Sequence, residues 1–100
     1  MIRLEIIANH SVEADIFEAL QEHAAGSFYT KVPSVQGVGN SNPRLGDPIW
    51  PEENFLLILY CGEEEASRVA RAVGEVKARF TEEGIKLFAV QEAREIRYEP

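Results

Sequence analysis

One short run, Phe55-Leu56-Leu57-Ile58-Leu59-Tyr60, is apolar on both of its sides. Successive side chains of a strand point to opposite faces, so Phe55, Leu57 and Leu59 face one way and Leu56, Ile58 and Tyr60 the other. A strand of this kind predicts a sheet that is covered on both faces. The rest of the chain holds two long helical patterns, enough for one face. The pattern therefore predicts that another copy of the protein covers the second face.

Residues 1–8 have the β-branched and apolar density of a first strand, broken by Asn9-His10-Ser11. Ser11 is the expected N-cap of the first helix, with Glu13 and Asp15 in a first turn that favours acids. Val12, Ile16, Leu20 and Ala24 recur every fourth residue with Phe17 beside them, and Gly26 is the expected stop. Residues 27–38 read as a second strand interrupted at Pro33, which predicts an edge position or a bulge. After the two-faced strand, Glu63, Glu64 and Glu65 open a second helix. Its buried stripe is expected to be Ala66, Val69, Ala70, Val73, Val76 and Phe80. Glu64–Arg68 and Glu75–Arg79 have the spacing of ion pairs on its wet side. Residues 85–90 form a fourth strand, and residues 93–98 a short fifth. The order strand, helix, strand, strand, helix, strand is that of an α+β, ferredoxin-like βαββαβ sandwich. Right-handed crossovers put both helices on one sheet face.

Residues 37–54 interrupt this regularity with Gly37, Gly39, Pro43, Gly46, Pro48 and Pro51. Such a run is too broken for regular structure, and a loop this long in a small domain is commonly functional. Little apolar surface offsets the entropy of fixing it, so residues 40–53 are expected to be the most mobile internal segment without a ligand, or to be ordered only by packing Trp50 on a neighbouring subunit.

The 100 residues suit a single domain, and the charged fraction of 27% is that of an ordinary globular chain. A net charge of −7 argues against general nucleic-acid binding, which relies on a basic face. Nothing approaches the length of a membrane span, and the first residues lack the pattern of a signal peptide. Cys61 is the only cysteine, which fits a reducing cytoplasm.

Gly37-Val38-Gly39-Asn40 is either a strand exit or a set of backbone N–H groups able to hold an anion. Lys86 and Arg97 are either solvated strand charges or partners for a phosphate or carboxylate. Arg44 is the only cation of the loop, and Trp50 is either a partner anchor or a side chain packed on the assembly. His10, His23 and Cys61 are metal-capable, with His10 and Cys61 the candidates, but their spacing matches no zinc signature. No serine sits in a Gly-x-Ser-x-Gly setting and no histidine has an evident partner, so an enzyme is not expected.

These residues together resemble the PII-type nitrogen-signalling family. Ala14-Asp15-Ile16-Phe17-Glu18-Ala19-Leu20 is similar to the family's acidic first helix. Val35-Gln36-Gly37-Val38-Gly39 is similar to its Val-Lys-Gly-Phe-Gly at the base of the T-loop. Val90-Gln91-Glu92-Ala93 followed by Ile96-Arg97 looks like its C-terminal segment. The resemblance implies a homotrimer with adenine-nucleotide clefts between subunits and a T-loop that docks on a partner, often a membrane transporter. The departures are specific. The family's Gly-Asp-Gly-Lys loop is absent, and Gly84 stands at its lysine. Glu95 stands at one of two phosphate-binding arginines, and Asn40 at a third; only Arg97 matches. The loop is shorter and has no tyrosine. Loss of charge-assisted contacts predicts weak triphosphate binding.

Two functions follow as expectations. In the first, a small effector in the inter-subunit clefts biases the loop toward or away from a partner, with Gly37, Val38, Gly39, Asn40, Lys86 and Arg97 at the effector and Arg44 and Trp50 at the partner. The alternative is a metal-responsive trimer resembling the divalent-cation-tolerance proteins, with His10, Cys61 and acids as ligands.

Overall fold

The computed structural model describes residues 1–38 and 52–100. The chain runs through β1 (Ile2–Asn9), a 3-10 turn (His10–Val12), α1 (Glu13–Glu22), β2 (Thr30–Gly37), β3 (Glu52–Cys61), α2 (Glu63–Arg79) and β4 (Ile85–Val90). The four strands form one antiparallel sheet in the order β2-β3-β1-β4. This is the ferredoxin-like arrangement.

Alternation along β1 and β3 decides what lies inside. Ile2, Leu4, Ile6 and Ala8 are buried beneath the helices, as are Phe55, Leu57, Leu59 and Cys61 on the neighbouring strand. α1 and the turn before it add Val12, Ile16, Ala19 and Leu20 to this core, and α2 adds Val69, Ala72, Val73 and Val76. The spacing of the α2 set is i, i+3, i+4, i+7, one stripe of a 3.6-residue period. Ala70, expected in that stripe, is exposed, and Ala72 takes the inward position. Ala66 and Phe80 are partly buried at its two ends.

The caps differ from the sequence reading. Ser11 does not cap the first helix; its backbone N–H donates to Oδ1 of Asn9 at 2.9 Å, which opens the 3-10 turn instead. α1 stops at Glu22, before Gly26, because Ala24 already takes the left-handed conformation at φ 51°. The N–H of Ala25 then returns to the carbonyl of Leu20 at 2.9 Å. Gly26 follows at φ 70°, where a side chain would be strained, and its N–H donates to Oε2 of Glu65.

Charges clamp the two helices together. Arg79 donates to Oδ1 of Asp15 at 3.1 Å, and His23 Nε2 lies 2.9 Å from Oε1 of Glu75. Of the two pairs expected within α2, Arg68–Glu64 forms at 3.1 Å. Glu75 and Arg79 instead reach across to α1, because the tertiary contact offers each a better-placed partner.

β2 lies at a sheet edge and is bulged. Val32 pairs with Leu56 and Val35 with Asn54, so one extra residue sits opposite β3 around Pro33. Both expectations for this proline hold. The stem of the long loop is more ordered than expected: Gly37 pairs with Glu52 and Gln36 with Glu53, so residues 52–54 belong to β3. Residues 93–98, expected as a fifth strand, form none within the chain. A two-residue turn after β4 leaves Glu92 at φ 63°, and the N-terminal ammonium donates to the carbonyl of Ala93 at 3.1 Å. The segment crosses the end of β1 instead of lying beside an edge strand.

Candidate functional site

Among the described residues, nothing covers the sheet face turned away from the helices. The register puts Arg3, Glu5 and Ile7 of β1 on it, beside Leu56, Ile58 and Tyr60 of β3. Lys86, Phe88 and Val90 of β4 share this face, as do Thr30 and Val32 of β2. Tyr60, Phe88 and Val90 are each about half exposed, at 51%, 51% and 49%. Contiguous apolar surface of this kind marks an interaction site on a soluble protein. Polar groups here are tied to one another: Arg3 Nε donates to Oε2 of Glu5 at 2.8 Å, and Arg3 Nη1 donates to the Tyr60 hydroxyl at 3.0 Å. The bond to Glu5, and then that to Tyr60, raises the guanidinium pKa further.

At the Thr30 end this face runs into a hollow of about 530 Å³ lined by Met1, Phe28, Tyr60, Arg94 and Glu95. Phe28 is 89% exposed, an unusual position for a large apolar ring.

A second cluster lies where α1 meets β2. The Glu13 carboxylate takes a hydrogen bond from Lys31 Nζ and lies 3.0 Å from Nδ1 of His10. A carboxylate can only accept, so His10 carries its proton on Nδ1. The Lys31 bond, reinforced by that of His10, holds the Glu13 carboxyl below the usual range despite partial burial. Phe17 packs here between Tyr29, at 5.2 Å between ring centroids, and Phe55, at 6.4 Å. The sequence reading missed this cluster; Glu13 and Lys31 are 18 residues apart, and only the crossover joins them.

The expected site residues fall at three separate places. Gly37 and Val38 are at the end of β2. Lys86 is on β4, the opposite edge strand, so three strand spacings of ~4.8 Å separate the two edges. Arg97 lies in the exposed segment beyond β4, which passes Met1 and Tyr60 at the end of the sheet away from Asn9. A single chain therefore does not gather Gly37, Val38, Lys86 and Arg97 into one pocket. Gly39, Asn40, Arg44 and Trp50 lie outside the described residues.

The metal candidates are far apart. Cys61 pairs with Ile2 at one end of β1, and His10 follows Asn9 at the other, a span of ~24 Å at about 3.4 Å per residue. Burial, and then the charge of Glu65, push the Cys61 thiol pKa up, which disfavours the thiolate a metal would need. Among the described residues no three of His, Cys, Asp and Glu converge. No described helix is long and apolar enough to cross a membrane.

No protein-family model and no curated protein matches the chain. Solved structures do. The chain is similar to CPII, a nitrogen regulatory PII-like protein from Thiomonas intermedia solved with ADP, AMP and bicarbonate. The TM-score is 0.59 at 19% identity, covering 95% of this chain and 94% of that one. It is also similar to a protein of Thermus thermophilus described as a PII-like signalling protein, with a TM-score of 0.57 and 19% identity over 89% and 83% of the two chains. The chain thus has the fold of PII-like proteins along nearly its whole length.

Proposed function

We propose that this chain is a PII-like regulatory protein, a binding protein and not an enzyme, that works as a homotrimer. Its open sheet face packs on its own copies around a threefold axis. A small effector occupies the clefts between subunits, and the segment between β2 and β3 carries its state to a partner, a membrane transporter or another regulatory protein. The observation that carries this reading is the bare apolar face of a sheet whose fold matches PII-like proteins.

Gly37 and Val38, with Gly39 and Asn40 beyond them, line the effector on one subunit. Lys86 and Arg97 supply its positive charge, and Arg44 and Trp50 meet the partner. Adenine nucleotides and bicarbonate are the first ligands to try, because the Thiomonas protein holds ADP, AMP and bicarbonate. ATP should bind weakly, since Gly84, Glu95 and Asn40 stand where the family places cations. Differential affinity of the effector for two loop arrangements would shift their populations and so the partner's affinity.

Light scattering at micromolar concentration should give the mass of three chains, and a monomeric mass would end the reading. Calorimetric titration with AMP, ADP, ATP, bicarbonate and divalent metals then identifies the effector. Low-micromolar ATP binding would show that the missing cations have replacements, with Lys86 the first to mutate. A response to divalent metal alone would favour the metal-sensing alternative.

A further inference from the structure

The segment after β4 has a strand-like sequence and no strand partner. Ala93-Arg94-Glu95-Ile96-Arg97-Tyr98 alternates, with Ile96 and Tyr98 on one side and Glu95 and Arg97 on the other. Ile96 is 60% exposed and Tyr98 88%. Glu92, in the left-handed region at φ 63°, turns the chain out of line with β4. The hydrogen bond from Met1 to Ala93 fixes where the segment starts. Arg94 and Glu95 then line the hollow beside Tyr60 and Phe28, so the segment travels across the sheet end from the β4 side toward β2. Its last apolar residues lie clear of the core.

Among the described residues the sheet has two unpaired edges, β2 and β4. They are not equivalent acceptors. Pro33 has no N–H, and the bulge between Val32 and Val35 breaks the spacing of β2. β4 runs six residues from Ile85 to Val90 with neither proline nor bulge, and matches the six residues of the tail in length. Phe88 and Val90 stand exposed along it on the open face. A row of unpaired backbone groups of this kind is a template for another strand.

We infer that residues 93–98 of one copy add as a fifth strand to the β4 edge of a second copy. Ile96 and Tyr98 then lie beside Phe88 and Val90 on the face that the assembly buries. A tail that leaves its own sheet near β2 and lands on the next copy's β4 makes a head-to-tail contact, and in a trimer three such contacts complete the ring. The inference rests on the trimer proposed above and deepens it: it names the segment and the edge through which the copies join, with Arg97 on the side of the added strand opposite the second copy's Lys86.

Two full-length variants test it. Ile96→Pro removes an N–H and blocks a ladder, yet touches no ladder of its own chain. It should weaken association at least tenfold by light scattering over a dilution series, with an unchanged circular dichroism spectrum. A protein carrying Ile96→Cys, Phe88→Cys and Cys61→Ala should give crosslinked dimers and trimers under mild oxidation. Hydrogen exchange should show the amides of residues 93–98 protected at high concentration and open on dilution. A stable trimer in which those amides exchange freely, or in which Ile96→Pro associates normally, overturns the strand addition and leaves the trimer standing. A monomeric wild-type protein overturns both. Crosslinking through Thr30→Cys in place of Phe88→Cys would move the acceptor to β2 and overturn the assignment to β4.

Discussion

The two faces of the sheet come from the same strands and differ in what covers them. Beneath the helices Ile6, Phe55 and Leu57 are fully buried. One residue further along, Ile7, Leu56 and Ile58 are only half-buried, and Tyr60 and Phe88 are half exposed. Composition separates the faces only in part: the open one adds Arg3, Glu5, Lys86 and Thr30, but branched aliphatics and aromatics occur on both. The difference is supply: two helices make one layer, and the described residues hold no third. An apolar face that the described residues leave uncovered points to other molecules. Stability should therefore be read from the covered face and assembly from the open one.

The largest effect should come from the covered face. Phe55 is fully buried and packs near the rings of Phe17 and His10. Phe55→Ala should cost about 3–5 kcal/mol of stability. The loss should appear in urea unfolding at protein concentrations low enough to dissociate any assembly. A cost under about 1 kcal/mol would mean that this face is not the core of the single chain.

Three residues along, the open face should answer differently. Ile58→Asn should place a polar group in the interface and weaken association by roughly 1–3 kcal/mol, about five- to 150-fold. Chain stability at high dilution should barely change. If Ile58→Asn unfolds the dilute protein and leaves the mass of the concentrated protein unaltered, the division of labour between the faces is wrong.

A smaller effect belongs to the margin of the covered face, where Glu13 holds Lys31 and His10. Its carboxyl pKa is lower in the folded chain than in the unfolded one, so the unfolded state binds the proton more readily. The stabilisation is then complete above the ordinary carboxyl pKa of about 4.3 and is lost as pH falls through the lower folded value. Both partners are partly solvated, so Glu13→Gln should cost only about 0.2–1 kcal/mol at neutral pH. Wild type and variant should converge once pH falls below the lowered folded value, when the carboxylate is protonated in both states. A gap between their urea midpoints that persists there would assign the effect to packing.

The least perturbing probe is Cys61. Its thiol is buried, with its pKa raised, on the covered face. An aromatic disulfide reagent should label it slowly in the native protein and at once in urea. Rapid native labelling would show that the helix layer opens at this end.

Much of this division was legible in the chain. Alternation at residues 55–60 separates the faces without any help from tertiary structure, and Pro33 announced both an edge and a bulge. What the sequence concealed depends on geometry across the fold. Asn9 caps the 3-10 turn and α1 starts without the side-chain cap expected of Ser11, because β1 runs on to Asn9 and passes directly into that turn. Glu75 and Arg79 look like partners by spacing, yet α1 and its C-cap present Asp15 and His23 to them. Ala70 and Ala72 are chemically identical, and only the direction of the stripe chooses between them. The candidate ligand residues were found by family register, which carries no information about the edges that separate Gly37 from Lys86.

The bulge in β2 has a consequence for how this chain tolerates change in length. In an even strand Val32 and Val35 would point to opposite faces. The extra residue around Pro33 restores the parity, so both valines align with the even-numbered positions of β3, opposite Leu56 and Asn54. The bulge is thus a removable unit. Deleting Pro33 alone would leave every pairing from Val35↔Asn54 to Gly37↔Glu52 in place, while removing the local bend and added twist. Length and direction are separable at this edge: one residue can be gained or lost without shifting the register of the loop stem, and what changes is the angle at which the chain leaves the sheet.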